Sequence, residues 1–359
     1  MEYFFSDVLE IKNGKNQKGV ENPEGQYPIY GSGGVMGYAD DYICEADTVI
    51  IGRKGSINNP IYVSEPFWNV DTAFGLSANK KVLLPRYLFY FCRKFDFNKL
   101  NKTVTIPSLT KADLLKIKIN LPNIKEQQDI VEKLIKLESI LNHRKQELSI
   151  LDNLIKARFV EMFGDPRSNP FGFDERMLKD TCKVVTGNTP SREVSKYYGN
   201  YVEWIKTDNI VSGLLNPTKA TECLSEKGME AGRIVERDSI LMACIAGSIA
   251  SIGRVCVTDR IVAFNQQINA VVPEKYNVLF LYVLLQASKD YLVEDVNMAL
   301  KGILSKSKLE EKKFIVPPIE LQEQFAELVK QVNKSKVAVQ KALDETQLLF
   351  DSLMQEYFG

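Results

Sequence analysis

Two stretches of this chain carry apolar side chains in alternating steps of four and three residues. In the first, Ile130, Leu134, Leu137, Leu141, Leu148, Leu151 and Ile155 fall on one line, with Arg144 and Arg158 as polar members and Met162 as its end. In the second, the line is Phe325, Val329, Val332, Val339, Leu343, Phe350 and Leu353, with Lys336 and Thr346 polar and Tyr357 last. The average step of 3.5 is the period of a helix that packs along another helix. Each stretch predicts a helix of about 38 residues, roughly 57 Å long at 1.5 Å per residue. Pro122 and the Pro317-Pro318 pair stand just ahead of them, where a missing amide costs a helix little.

The two seams are one pattern written twice. Leu-Pro-Asn-Ile-Lys-Glu-Gln at 121–127 matches Val-Pro-Pro-Ile-Glu-Leu-Gln at 316–322, and Met162-Phe163-Gly164 matches Tyr357-Phe358-Gly359, both at an offset of 195. A block of 43 residues therefore recurs without insertion or deletion, and its two copies can pair inside one chain. This divides the sequence into a globular part at 1–121, a long helix at 122–164, a second globular part at 165–316 and a second helix at 317–359.

The globular parts repeat more loosely. Asp7…Gly14 resembles Asp180…Gly187, and Asp47-Thr48-Val49-Ile50-Ile51 resembles Asp238-Ser239-Ile240-Leu241-Met242. Gly55-Ser56-Ile57 resembles Gly247-Ser248-Ile249, and Asn69-Val70-Asp71 aligns with Asn265-Gln266-Gln267. Short β-branched runs punctuated by glycine predict strands with tight turns, while 87–95 and 278–287 predict helices. The fold class is mixed α/β (α+β), with a pseudo-two-fold internal repeat.

Composition narrows the function. Apolar residues make up 45% and charged residues 26% of the 359, which suits a globular protein of about two domains. No apolar run is long enough to span a membrane and the N-terminus has no leader pattern, so a cytoplasmic protein is expected. Lysine plus arginine equals aspartate plus glutamate at 46 each, and the globular parts carry 15 against 13 and 20 against 19. Any phosphate-binding surface must therefore come from local clustering or a basic partner.

Catalytic and metal chemistry find little support. Six cysteines lack any Cys-x-x-Cys pair and predict reduced core thiols; the only histidine, His143, lies beside the helical seam and predicts solvated surface. No phosphate loop and no dinucleotide-binding glycine pattern is present, nor is the Asn-Pro-Pro-Tyr pocket of amino-methyltransferases. Glu10-Ile11-Lys12 mimics part of a nuclease motif, but only Asp7 precedes it closely. The chain is expected to be non-catalytic and to bind no metal.

Several motifs in this order, twice over, carry a family resemblance. They are Gly187-Asn188-Thr189-Pro190, Tyr30-Gly31-Ser32-Gly33-Gly34, Asp47 through Ser56, Phe264-Asn265-Gln266-Gln267 and the doubled Pro-x-Ile-x-x-Gln helix openings. Together they resemble the DNA specificity (S) subunit of type I restriction–modification enzymes across essentially the whole chain. The resemblance implies two target recognition domains separated by two long antiparallel helices. Each domain is implied to read one half of a split double-stranded DNA site. The helices are implied to set the spacer and to dock two methyltransferase subunits, which carry S-adenosylmethionine. Restriction subunits, with ATP and Mg, complete such complexes, leaving no cofactor on this chain.

Reading bases requires paired donors and acceptors on presented loops, with glycine and hydroxyl groups at phosphates. On that reasoning the DNA-contacting candidates in the first domain are Tyr30, Gly31, Ser32, Gly33, Arg53, Lys54, Ser56, Asn58 and Asn69. In the second they are Thr189, Ser191, Arg192, Lys206, Ser248, Arg254, Asn265, Gln266 and Gln267. The first domain has Ile11-Lys12-Asn13-Gly14-Lys15-Asn16 where the second has its Gly-x-Thr-Pro loop, so the two are expected to read through different loops. Two basic stretches, Arg93-Lys94…Lys99…Lys102 and Lys301…Lys306…Lys308, occupy matching places, while Lys312-Lys313 is expected to be solvated.

Overall fold

The structure, a computed structural model, describes residues 1–101, 107–294, 296 and 302–359. Two 40-residue helices, Ile124–Phe163 and Ile319–Phe358, begin and end at the offset of 195. Every seam position named above is buried or half-buried. Apolar residues off that line, such as Ile135, Ile150, Val337 and Leu348, are exposed. The period of 3.5 thus marks the packed face of each helix.

The chain divides into two compact units, and the division falls inside each long helix rather than at its ends. Met1–Arg144 and Ala342–Gly359 form one unit; Lys145–Lys341 forms the other. Packing explains the position. In the first unit Leu134 and Leu141 share a core with Phe350 and Met354 and with Phe5, Leu88 and Phe91 of the globular part. In the second, Phe159 lies 5.6 Å from Phe325 and 5.9 Å from Phe280, ring centre to ring centre, and Phe163 lies 4.8 Å from Phe280. Asp152 also meets Lys336 at 2.6 Å there. Rising numbers on one helix meet falling numbers on the other, so the pairing is antiparallel.

Each unit is built around a four-stranded antiparallel sheet with the same connectivity. The strand order is Leu9–Asn13, Ala73–Ala78, Thr48–Gly52, Ile61–Val63 in the first unit. In the second it is Cys182–Thr186, Ile268–Pro273, Ile240–Ala243, Val255–Val257. A ten-residue helix, Pro85–Lys94 or Val278–Ala287, contributes buried residues to the same core as that sheet. Asp47 and Asp238 both adopt φ 62° at the entrance to the central strand, a left-handed turn that short polar side chains tolerate. A smaller sheet accompanies each: three strands in the first unit and five in the second, each with one parallel pair.

The strand register corrects one part of the sequence alignment. Asn13 pairs with Phe74, and Thr186 pairs with Asn269, so Phe74 and Asn269 are equivalent. That restores the offset of 195 and places Asn69 opposite Phe264 rather than Asn265. The shared asparagine drew the alignment one residue off, whereas burial on one face fixes register in steps of two. Gly14 and Gly187 agree: a Cβ on Gly14 would stand 1.8 Å from the Val70 carbonyl oxygen, and one on Gly187 2.1 Å from that of Asn265. Neither site admits a side chain.

Candidate nucleic-acid interface

In the first unit Ser32 and Gly33 form the turn between strands Tyr27–Gly31 and Gly34–Ala39. The segment after Thr48–Gly52 is pinned by backbone bonds: Arg53 N–H donates to Thr72 O at 2.7 Å, Leu109 N–H to Arg53 O at 2.9 Å and Gly55 N–H to Pro107 O at 3.0 Å. A Cβ on Gly52 would meet Ser56 O at 2.4 Å and Ser32 Cβ at 3.0 Å. The two loops therefore converge at Gly52, bringing Ser32, Arg53, Lys54 and Ser56 to one edge. Arg53, Lys54, Ser56 and Gly33 are exposed and Ser32 half-exposed.

Other candidates of this unit have structural work. Asn58 is exposed, yet it donates to Asp96 Oδ1 at 3.0 Å and accepts from Phe97 N–H at 2.7 Å. That bond, with the Asn98 amide, holds the Asp96 carboxyl below its ordinary range. Tyr30 is half-buried with its ring edge-on to Phe67, and Gly31 is buried. Asn69 is fully buried and donates to Ala73 O at 3.1 Å. It is a core amide, out of reach of a base, which corrects its place among the candidates.

In the second unit the Gly187–Arg192 loop is tied down by Asn188, which donates to Ala231 O at 2.9 Å and accepts from Arg233 N–H at 2.8 Å. Thr189 Oγ1 donates to Gln266 Oε1, and both side chains are exposed. Asn265 and Gln267 are turned on one another: Gln267 N–H donates to Asn265 Oδ1 at 3.1 Å and Asn265 Nδ2 to Gln267 Oε1 at 3.2 Å. Gln266 alone of the three faces outward. Arg254 is half-buried and donates to Ser251 O at 3.3 Å and Thr207 O at 3.4 Å, latching two loops. Ser248 is exposed and pairs with Ser251 at 3.0 Å; Ser191 is exposed.

Arg192 and Lys206 meet at a residue the sequence reading missed. Glu222 accepts from Arg192 Nη1 at 2.7 Å and Nη2 at 3.2 Å, and also from Lys206 Nζ. The Arg192 guanidinium sits 4.5 Å from the Tyr198 ring centre and 5.2 Å from that of Trp204, and Lys206 Nζ sits 5.1 Å from Trp204. Bonds from Arg192 first and Lys206 next pull the Glu222 carboxyl down to about 2. No motif signals Glu222; only the pairing of Glu203 with Cys223 and of Val202 with Leu224 sets it beside these cations.

The basic groups come from different places in the two units. Leu304 N–H donates to Cys244 O just as Leu109 N–H does to Arg53 O, so Cys244-Ile245 stand where the first unit has Arg53-Lys54. Ile205 pairs in parallel with Phe264 as Tyr30 does with Asn69, so Lys206 takes the place of Gly31. Of the basic stretches, Arg93 is engaged with Glu138 and lies 5.3 Å from the Phe350 ring centre. Lys102 and Lys301 lie outside the described residues. Lys312 is buried, 2.9 Å from Glu294 and 4.2 Å from the Tyr291 ring centre, which corrects the expectation of a solvated pair; Lys313 is exposed.

A mixed α/β domain is thus carried twice, with one four-stranded scaffold and two different sets of presented polar groups. The comparisons specify it. Residues 1–149 and 170–346 match the family model described as type I restriction modification DNA specificity domain, and the chain belongs to that family. It is 22% identical over 334 residues to the specificity subunit of the type I restriction enzyme MjaIX of Methanocaldococcus jannaschii, covering 85% of this chain and 73% of that protein. It is 29% identical over 161 residues to the HindI specificity subunit of Haemophilus influenzae, covering 43% of this chain and 34% of that one. Among solved structures, the S subunit of a type I restriction–modification system from M. genitalium matches with a TM-score of 0.69 at 17% identity, over 100% of this chain and 96% of that one. A chain from a type I R-M system, in a study of its assembly and conformational transition, matches with a TM-score of 0.59 at 17% identity, over 100% and 97%. At that identity the likeness speaks to the fold. Among the described residues, no helix is long and apolar enough to cross a membrane.

Proposed function

We propose that this chain is the DNA-reading scaffold of a type I restriction–modification complex, each globular part reading one half of a bipartite double-stranded site. The long helices set the spacer and dock two methyltransferase subunits, which bring S-adenosylmethionine; restriction subunits bring ATP and Mg. The chain itself is non-catalytic and works in the cytoplasm. One observation carries this reading: the same four-stranded sheet connectivity in both units beside polar groups that arise from non-equivalent positions. A constant frame with divergent loops suits two readers of different sequences.

The near balance of charge in each globular part implies weak DNA binding by the chain alone and tight binding in the complex. Methylome sequencing of cells carrying this chain with its partners tests the reading. A split motif is expected, and one extra heptad in each long helix is expected to lengthen or abolish the tolerated spacer while half-site bases stay the same. Altered half-site bases would break the division of labour. Methyl transfer from labelled S-adenosylmethionine by the chain alone would remove the non-catalytic assignment.

A further inference from the structure

The Arg192–Glu222–Lys206 cluster is not repeated among the described residues of the first unit, where Gly31 fills the place of Lys206. It is also firmly built. Trp204 is fixed by its Nε1–H donating to Asn188 O at 3.3 Å and its backbone N–H donating to Glu222 O at 3.0 Å. Tyr198 OH donates to Pro190 O at 2.7 Å, so both rings beside the guanidinium are anchored to the presented loop or the sheet. Arg192 nevertheless keeps 54% of its side chain exposed.

A guanidinium has five N–H donors in a rigid plane. Two go to Glu222, and among the described residues the other three, including Nε–H, make no hydrogen bond. A phosphate brought there would approach an ionised carboxylate that already shares two cations, and like charges oppose that. A base edge is neutral and meets no such repulsion. Guanine offers two acceptors, O6 and N7, in one plane, which is the match for two adjacent donors of an arginine. A carboxylate on one side of the guanidinium and rings on its face hold that plane still, so little side-chain freedom is lost on contact.

We propose that Arg192 reads a guanine in the half-site of the second domain and that Glu222 is its positioning residue, the cluster serving as a base reader rather than a phosphate anchor. This rests on the DNA-reading assignment above and adds the chemistry of one contact.

The test uses the complete complex with its methyltransferase subunits, competition binding on duplexes with single base pairs changed, and a salt titration. Arg192→Lys keeps the charge and removes the fork. It is expected to relax discrimination at one G·C pair by about tenfold or more, while the slope of log K against log salt stays unchanged. Glu222→Gln and Tyr198→Leu are expected to relax the same pair less, leaving other positions intact; they serve if the arginine variant fails to fold. If Arg192→Lys leaves every position intact while Arg192→Gln weakens all sequences alike and lowers the slope by about 0.9, the group is a phosphate anchor and the inference falls. It falls equally if the second half-site contains no G·C pair. A wild-type complex with no split-site preference would instead overturn the assignment on which this rests.

Discussion

The side-chain carbonyl of Gln127 accepts the backbone N–H of Leu84 at 2.9 Å, joining the opening of a long helix to the cap of the ten-residue helix at Pro85–Lys94. Its amide donates to Val82 O at 2.9 Å and Pro122 O at 3.0 Å. Gln322 repeats the arrangement with Asn277 N–H at 3.0 Å and Pro317 O at 2.8 Å. Both glutamines are buried, so the glutamine of the Pro-x-Ile-x-x-Gln opening is an internal clamp.

Removing either clamp strands buried backbone groups, each costing about 1–3 kcal/mol. Gln127→Ala is expected to destabilise its unit by about 2–3 kcal/mol and to speed amide exchange at Leu84. Gln127→Glu is expected to be at least as harmful, because a carboxylate would face two carbonyls. Hydrogen exchange at Leu84 that matches wild type in both variants would contradict this.

The Asp152–Lys336 pair is asymmetric. Lys336 keeps 13% of its side chain exposed and Asp152 41%, and Lys336 also donates to Gly213 O at 2.8 Å. Removing the partner of the more buried charge costs more than removing that charge itself. Asp152→Ala is therefore expected to cost about 1–2 kcal/mol, and Lys336→Met close to nothing. Chemical denaturation of the two variants checks the order; equal losses would refute it.

Acid provides a separate handle on the reading cluster. The Glu222 carboxyl is held down to about 2 from an ordinary value of 4.5 by Arg192 and Lys206. Because the folded value is the lower one, the stability that the pairing contributes is present in full above the ordinary value and is lost as pH falls from about 4.5 through about 2, while the pair itself opens only near the lower end. Trp204, beside both cations, is one of two tryptophans. In a Trp68→Phe background its fluorescence should change at the acid end of that range, near the folded value of about 2, and Glu222→Gln should abolish the transition.

Thiol chemistry should separate one cysteine from the rest. Cys44, Cys92, Cys182, Cys244 and Cys256 are buried, and Cys223 is half-buried. Burial pushes the thiol of Cys44 up to about 11 and those of Cys182, Cys244 and Cys256 to about 12. At pH 8 the native chain should give one fast-reacting thiol, lost in Cys223→Ser, and six on denaturation. Rapid labelling of a second cysteine would mean that one of the cores opens readily.

The long helices were the legible part of the sequence because their constraint is local: a seam every 3.5 residues needs no knowledge of the partner. The strands were legible as strands, but their register was not. Asn69 and Asn265 look alike on paper, yet the pairing of Asn13 with Phe74 and Thr186 with Asn269 sets them one residue apart. The same limit hid Glu222. Its importance comes from a sheet that places it against residues 16 and 30 positions earlier in the chain, and an isolated glutamate has no pattern to announce it. Lys312 shows the reverse error, since a doubled lysine suggests solvent while Glu294 and Tyr291 draw one of the two inward.

The division inside the helices also orders events on the ribosome. The unit at 145–341 is continuous, whereas the first unit takes its core from residues 1–144 together with 342–359. Phe350 and Met354 are structural members of a domain whose other residues were made long before them. At about 5–20 residues per second the intervening stretch takes on the order of 10–40 s to synthesise. During that interval Leu134 and Leu141 have only the globular part to pack against and lack the share of the core that Phe350 and Met354 supply, so the first of the two domains is expected to be completed last.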